Sequence, residues 1–170
     1  STGAMGNAGF EIDGTVVYYP YSASVKCAAD DAEGRSFRLT GLSLPSEQVY
    51  SEGTVAQNLL PMLAVSSSAQ TFTFRNICGI LKLQVVGEGT LKTVSLKGNN
   101  GEILAGEIEV VGYKEAVSEL GSASSLGEPP VVTMLDDQAT TITLICEGDG
   151  VALDASDPVS FMFVLPPTAF

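Results

Sequence analysis

The stretch Lys97-Gly98-Asn99-Asn100-Gly101-Glu102-Ile103-Leu104-Ala105-Gly106-Glu107-Ile108-Glu109-Val110-Val111 decides the class of this fold. In its second half Leu104, Gly106, Ile108 and Val110 fall on one side of an extended chain, with Glu107 and Glu109 on the other. A period of two marks a strand with one buried and one wet face. In its first half Asn100-Gly101 accepts the positive φ angles of a type I′ turn. The pattern predicts a hairpin closing at Asn99 to Gly101, with Ile108 and Val110 in the core. The same alternation recurs over 140–147, where Ile142, Leu144 and Cys146 interleave with Thr141, Thr143 and Ile145.

Outward from these two segments, short β-branched and aromatic runs are separated by Gly, Pro, Asn, Asp and Ser. Candidate strands are 15–21, 36–42, 60–65, 71–75, 80–86, 91–97, 102–111, 131–135, 140–147 and 160–165. Many short strands with almost no helical periodicity predict an all-β fold, an antiparallel β-sandwich or barrel. Residues 113–130 read as a Ser- and Gly-rich loop ending in Glu128-Pro129-Pro130, or as a loop holding one helical turn at 115–120. Residues 46–60 read as a one-turn helix or an irregular segment. In the final strand Phe161, Phe163 and Leu165 lie on one side and Met162 and Val164 on the other. Both faces are apolar, so the strand is expected to be central and to need a neighbour on each edge, one from this chain and the other from a missing C-terminal portion, a second copy or a partner subunit.

With 170 residues the chain is long enough to bury a core without staples. Its longest apolar stretch, Leu59 to Val65, is far shorter than the ~20 residues of a membrane-spanning helix. The 20 acidic against 8 basic residues give a net charge of −12, which repels phosphate backbones and argues against nucleic acid as a partner. Cys27, Cys78 and Cys146 form no C-x-x-C pair and there is no histidine, so a zinc set is not expected. Buried free thiols or a single disulfide both remain open. Residues 1–9 lack the basic and apolar regions of a signal peptide.

The missing histidine removes the Ser-His-Asp, Cys-His and H-E-x-x-H arrangements. No S-x-x-K occurs, and Ser95 and Lys97 alternate on one predicted strand face. Asp30-Asp31, Asp136-Asp137 and Glu147-Gly148-Asp149 supply the available carboxylate clusters, all in predicted turns where acids ordinarily bond backbone amides. None matches an EF-hand loop. Gly87-Glu88-Gly89 and Gly148-Asp149-Gly150 place an acid where a phosphate would sit. The expectation is a protein that is not an enzyme, with no catalytic, cofactor-binding or metal-binding residues and no cofactor. Tyr18, Tyr19, Tyr21 and Tyr50 could form the aromatic platform of a carbohydrate-binding surface module, the alternative function.

Phe72-Thr73-Phe74-Arg75-Asn76-Ile77-Cys78-Gly79-Ile80-Leu81-Lys82-Leu83-Gln84-Val85, followed by 97–106, resembles the fimbrillin family of Bacteroidales. The likeness extends to Tyr18-Tyr19-Pro20-Tyr21-Ser22, Leu44-Pro45-Ser46-Glu47-Gln48, Pro61-Met62-Leu63-Ala64 and Phe163-Val164-Leu165-Pro166-Pro167-Thr168. It rests on the order and co-occurrence of these fragments. Members build or tip the cell-surface pili called type V, and many are fimbrillin-like lipoproteins.

The resemblance implies transthyretin-like sandwich topology, export as a lipoprotein, and an outer-membrane-anchored or fimbrial place at the cell surface. It further implies proteolytic trimming of an N-terminal strand and assembly by strand exchange with other pilus subunits, with a host or bacterial surface ligand as a further partner. Arg35 and Arg38 are the first arginines, and neither marks an obvious cleavage site. The expected organisation is a processed or vector-derived tail over 1–14 and a fimbrillin-like domain over 15–170, truncated before a further C-terminal part. Residues 80–86, 140–146 and 161–165 are apolar enough that any of them at an open sheet edge would invite another strand.

Overall fold

The computed structural model describes residues 6–8, 15–30, 32, 36–66, 72–113, 129–135 and 139–167. They form an all-β sandwich, and no helix occurs among them. Two apolar clusters fill it.

The first cluster lies between two four-stranded sheets. One runs β1 (Gly6–Ala8), β2 (Thr15–Tyr19), β7 (Met62–Ser66), β8 (Arg75–Asn76), and the other β13 (Val131–Met134), β12 (Gly106–Tyr113), β4 (Ser36–Leu44), β3 (Lys26–Ala29). Val16, Tyr18 and Leu63 from the first sheet meet Phe37, Leu39, Leu42, Leu44, Ile108 and Val110 from the second. Gly6–Ala8, within the segment read as a tail, pair with Val16 to Tyr18.

In β4 the buried positions change parity, from Phe37 and Leu39 to Leu42 and Leu44. A β-bulge makes the change: Val110 faces Leu39 and Ile108 faces Leu42, so Thr40 and Gly41 together oppose the single residue Glu109. Gly41 has φ of +80°, and a Cβ there would lie 2.3 Å from the Ser24 carbonyl oxygen. The bulge lets one strand carry its apolar residues inward on both sides of the irregularity.

The second cluster packs the sheet β11 (Thr93–Lys97), β14 (Thr141–Ile145), β5 (Glu47–Ser51), whose last strand β6 (Thr54–Val55) sets Val55 on the first cluster, against two strand pairs. These are β9 (Gly79–Val85) with β16 (Val159–Leu165), and β10 (Gly89–Leu91) with β15 (Val151–Leu153). Ile142, Leu144 and Cys146 of β14 and its continuation are buried as their alternation predicts, against Phe161, Phe163 and Leu165. One ladder departs from antiparallel: β14 and β5 run parallel, with Leu144 opposite Gln48.

The hairpin expected at Asn100-Gly101 does not form. β11 pairs with β14, and β12 pairs with β4 and β13, so residues 98–105 cross from one sheet to another. Gly101 keeps the positive φ that its type permits, at +83°, and Ile108 and Val110 are fully buried as predicted. Asn100 does not take the positive φ that a type I′ turn needs, and burial chose the partners: Val94 and Leu96 pack on the second cluster, Ile108 and Val110 in the first. The Glu102 carboxylate holds the crossing loop, accepting from the Asn100 backbone N–H and from Asn100 Nδ2, each at 2.9 Å. These bonds hold its pKa below the usual carboxylate value.

Other boundaries also shift. Residues 46–60 contain two strands, β5 and β6, in place of a helical turn or irregular segment, and among the described residues 72–75 only Arg75 enters a ladder. Lys26–Ala29 and Val151–Leu153 are strands that the apolar pattern did not mark. The loop read over 113–130 lies outside the described residues except for its ends.

Replacing Gly41 with Ala forces a side chain into the left-handed region and against the Ser24 carbonyl. Gly41→Ala is expected to lower stability by about 2 kcal/mol or more, seen as a lower urea midpoint. An unchanged midpoint would show that the bulge relaxes freely.

Candidate strand-docking edge

The final strand β16 sits between the two clusters: Phe161, Phe163 and Leu165 belong to the second and Val164 to the first. Val164 is fully buried, so its backbone must find partners within the protein, because water cannot reach it. On one edge β9 supplies an antiparallel ladder from Val159↔Val85 to Leu165↔Gly79. On the other edge the partner is a side chain. Gln48, only 1% exposed, donates from Nε2 to the Val164 carbonyl at 2.9 Å and accepts at Oε1 from the Val164 N–H at 3.0 Å. The primary amide thus stands in for one residue of a neighbouring strand. Among the described residues β16 thus has one strand neighbour, β9, and on its other edge a glutamine bonded to Val164 alone.

β9 has no such closure. Among the described residues it pairs only with β16, and no described strand faces the backbone groups on its far side. Residues directly opposite in an antiparallel ladder share a face. Leu81, Leu83 and Val85 therefore share the face of Phe163, Phe161 and Val159, which is the core face, while Ile80, Lys82 and Gln84 lie on the other with Val164, Met162 and Ser160. Yet Leu81 is 39% and Leu83 42% exposed, although their partners Phe163 and Phe161 are fully buried. Ile80 at 47% and Val86 at 58% extend the apolar margin. The core runs up to β9 and is uncovered there.

The remaining sequence candidates are scattered. Tyr18 is buried and its hydroxyl donates to the Ser22 carbonyl at 2.9 Å. Tyr19 donates to Asn58 Oδ1 at 2.7 Å, where Asn58 holds a positive φ of 64°. Tyr50 packs on Phe161 with ring centroids 5.3 Å apart, and Tyr21 is exposed. The four rings form no common platform. Asp30 forms an ion pair with Arg38 Nε at 2.6 Å, and Arg38 also pairs with Glu109. Both partners raise the Arg38 pKa above its usual value, the Glu109 bond most. Arg38 is thereby pinned within β4, opposite Ala28 and Val111. Asp31, Arg35, Asp136 and Asp137 lie outside the described residues. Ser95 and Thr143 hydroxyls are 3.1 Å apart on paired strands, leaving Ser95 in a cross-strand bond.

The three cysteines are free. Burial pushes the Cys27 and Cys78 thiols up to about 12 and raises Cys146 as well, the behaviour of small buried hydrophobes. Among the described residues no group of three or more Cys, Asp or Glu side chains is placed to hold a metal ion.

No family model matches the chain, and neither the curated proteins nor the solved structures include a match to it.

Sequence reasoning missed Gln48 because a lone glutamine in a polar segment carries no periodic signal. The clue, legible only afterwards, is that Phe161–Leu165 has two apolar faces and needs a second edge partner. Gln48→Leu keeps the volume and leaves the Val164 N–H and C=O unpaired in the interior. A loss of about 2 to 5 kcal/mol is expected for the two groups, measured by denaturant unfolding. A variant as stable as the parent would show that Val164 finds other partners.

Proposed function

We propose that this chain is a non-catalytic structural or adhesive subunit of a surface fibre and that it receives a strand from another chain along the outer edge of β9. The observation that carries the reading is the uncovered edge: a ladder-competent strand whose core-side Leu81 and Leu83 are two-fifths exposed beside the buried Phe163 and Phe161. Laying a strand there would satisfy backbone groups and cover apolar surface in one step, the mode of recognition known as strand addition. In this reading the chain is a fimbrillin-type pilus subunit of transthyretin-like topology, exported to the cell surface and anchored to the outer membrane or built into fimbriae. The fragments 72–85 and 97–106 support that family, and the open edge supports its mode of assembly. Cleavage that frees a strand would then fall outside β4, since Arg38 is held in a sheet by two carboxylates. The carbohydrate-binding alternative has less behind it, because Tyr18, Tyr19, Tyr21 and Tyr50 do not share a surface.

Hydrogen exchange on purified monomer and on high-molecular-weight material from the cell surface tests the reading. β9 amides are expected to exchange faster in the monomer and to gain protection in the assembled material. Leu83→Lys, a charge pointing inward on an edge strand, should leave the monomer folded and exclude it from assemblies. Incorporation of the variant at the parental level would contradict strand receipt at β9.

A further inference from the structure

We infer that the strand received by β9 carries an Asp or Glu opposite Lys82 and that it is not a second copy of β9. The inference rests on the strand-accepting reading above and names the chemistry of the partner.

Lys82 is the midpoint of β9, exposed, and set between Ile80 and Gln84 on the face away from the second cluster. Among the described residues it forms no ion pair, whereas Arg38 binds two carboxylates and the Lys92 ammonium donates to the Gly148 carbonyl. A strand docking on β9 must bring one residue directly opposite Lys82, with side chains about 5 Å apart at Cβ. An opposite charge there adds attraction, and a like charge opposes docking. The other positions on that face, Ile80 and Gln84, are neutral, and the positions on the face of the second cluster are Leu81, Leu83 and Val85. The complement is therefore an alternating segment with apolar residues on the face of Leu81 and Leu83 and one carboxylate on the face of Lys82.

The same lysine disfavours self-pairing. If two copies of β9 met antiparallel with full overlap, Leu81 would face Leu83 of the copy and Lys82 would face Lys82. Sliding by two residues separates the lysines but shortens the ladder, and sliding by one sets Lys82 on the core side. A net charge of −12 adds repulsion between whole chains. A lysine in an edge strand is a known guard against unwanted pairing, and here it also selects the wanted partner.

The test uses two blocked, fluorescent peptides of about nine residues, within the usual range of strand lengths, alternating Thr and Val with a central Glu or a central Lys. Anisotropy on the intact protein at low salt should show the Glu peptide binding several-fold tighter, up to about tenfold. The difference should shrink near 1 M salt, where screening acts within about 3 Å. Lys82→Glu should reverse the order. Sedimentation should show the parent monomeric, and Lys82→Leu should promote association that Leu83→Lys abolishes.

Equal affinity of both peptides, unchanged by Lys82→Glu, would overturn the charge selection while leaving strand acceptance standing. Absence of binding by either peptide would overturn both. A parental dimer that Leu83→Lys dissociates would overturn the exclusion of a second β9.

Discussion

The amide of Gln48 against the backbone of Val164 is the contact on which the arrangement of both clusters depends. β16 gives Val164 to one cluster and Phe161, Phe163 and Leu165 to the other, so neither is complete unless this strand is held. Val164 is fully buried, which keeps water from its backbone, and among the described residues no strand pairs with β16 on this edge. Gln48, held in register by the parallel pairing of β5 with β14, supplies the two missing hydrogen bonds from a side chain. A buried donor and acceptor satisfied in this way are worth more than their net hydrogen-bond energy suggests, because losing them strands both backbone groups.

With Val164 on the inner edge of β16 held by a side chain, the ladder of this layer runs on the other edge, to β9. That leaves β9 with the burden of an edge: unpaired backbone and leucines meant for a core. A fully buried leucine contributes about 1.5 to 3 kcal/mol, so two-fifths exposure leaves about 1 kcal/mol unrealised at each of Leu81 and Leu83. Monomeric proteins usually blunt such an edge with charge, proline or a bulge. β9 carries one such device, Lys82 at its midpoint, and otherwise presents a regular seven-residue ladder to whatever lies beside it. The edge is guarded but not closed, which is the state expected of a subunit that meets a specific strand.

The all-β class was legible in the alternation of Ile142, Leu144 and Cys146, of Ile108 and Val110, and of Phe161 and Phe163, all now buried. The two apolar faces of β16 were legible as well. Partner choice was not. Asn100-Gly101 has the chemistry of a hairpin turn, yet its flanking strands bury in different clusters, and local residue types hold no record of which cluster a strand joins. The parity change in β4 was hidden because a bulge at Thr40-Gly41 breaks the period that identifies strands. The open edge of β9 was legible only as a possibility among three apolar segments. Its companions 140–146 and 161–165 were the equal candidates in sequence, and the structure buries both.

The central claim is that another chain completes the sheet at β9, and a density map of the assembled fibre tests it most directly. The account predicts a strand from a neighbouring subunit hydrogen-bonded along Gly79–Val85, its inward side chains covering Leu81 and Leu83. A fibre in which β9 faces solvent, or in which a segment of the same chain fills that edge, would contradict it.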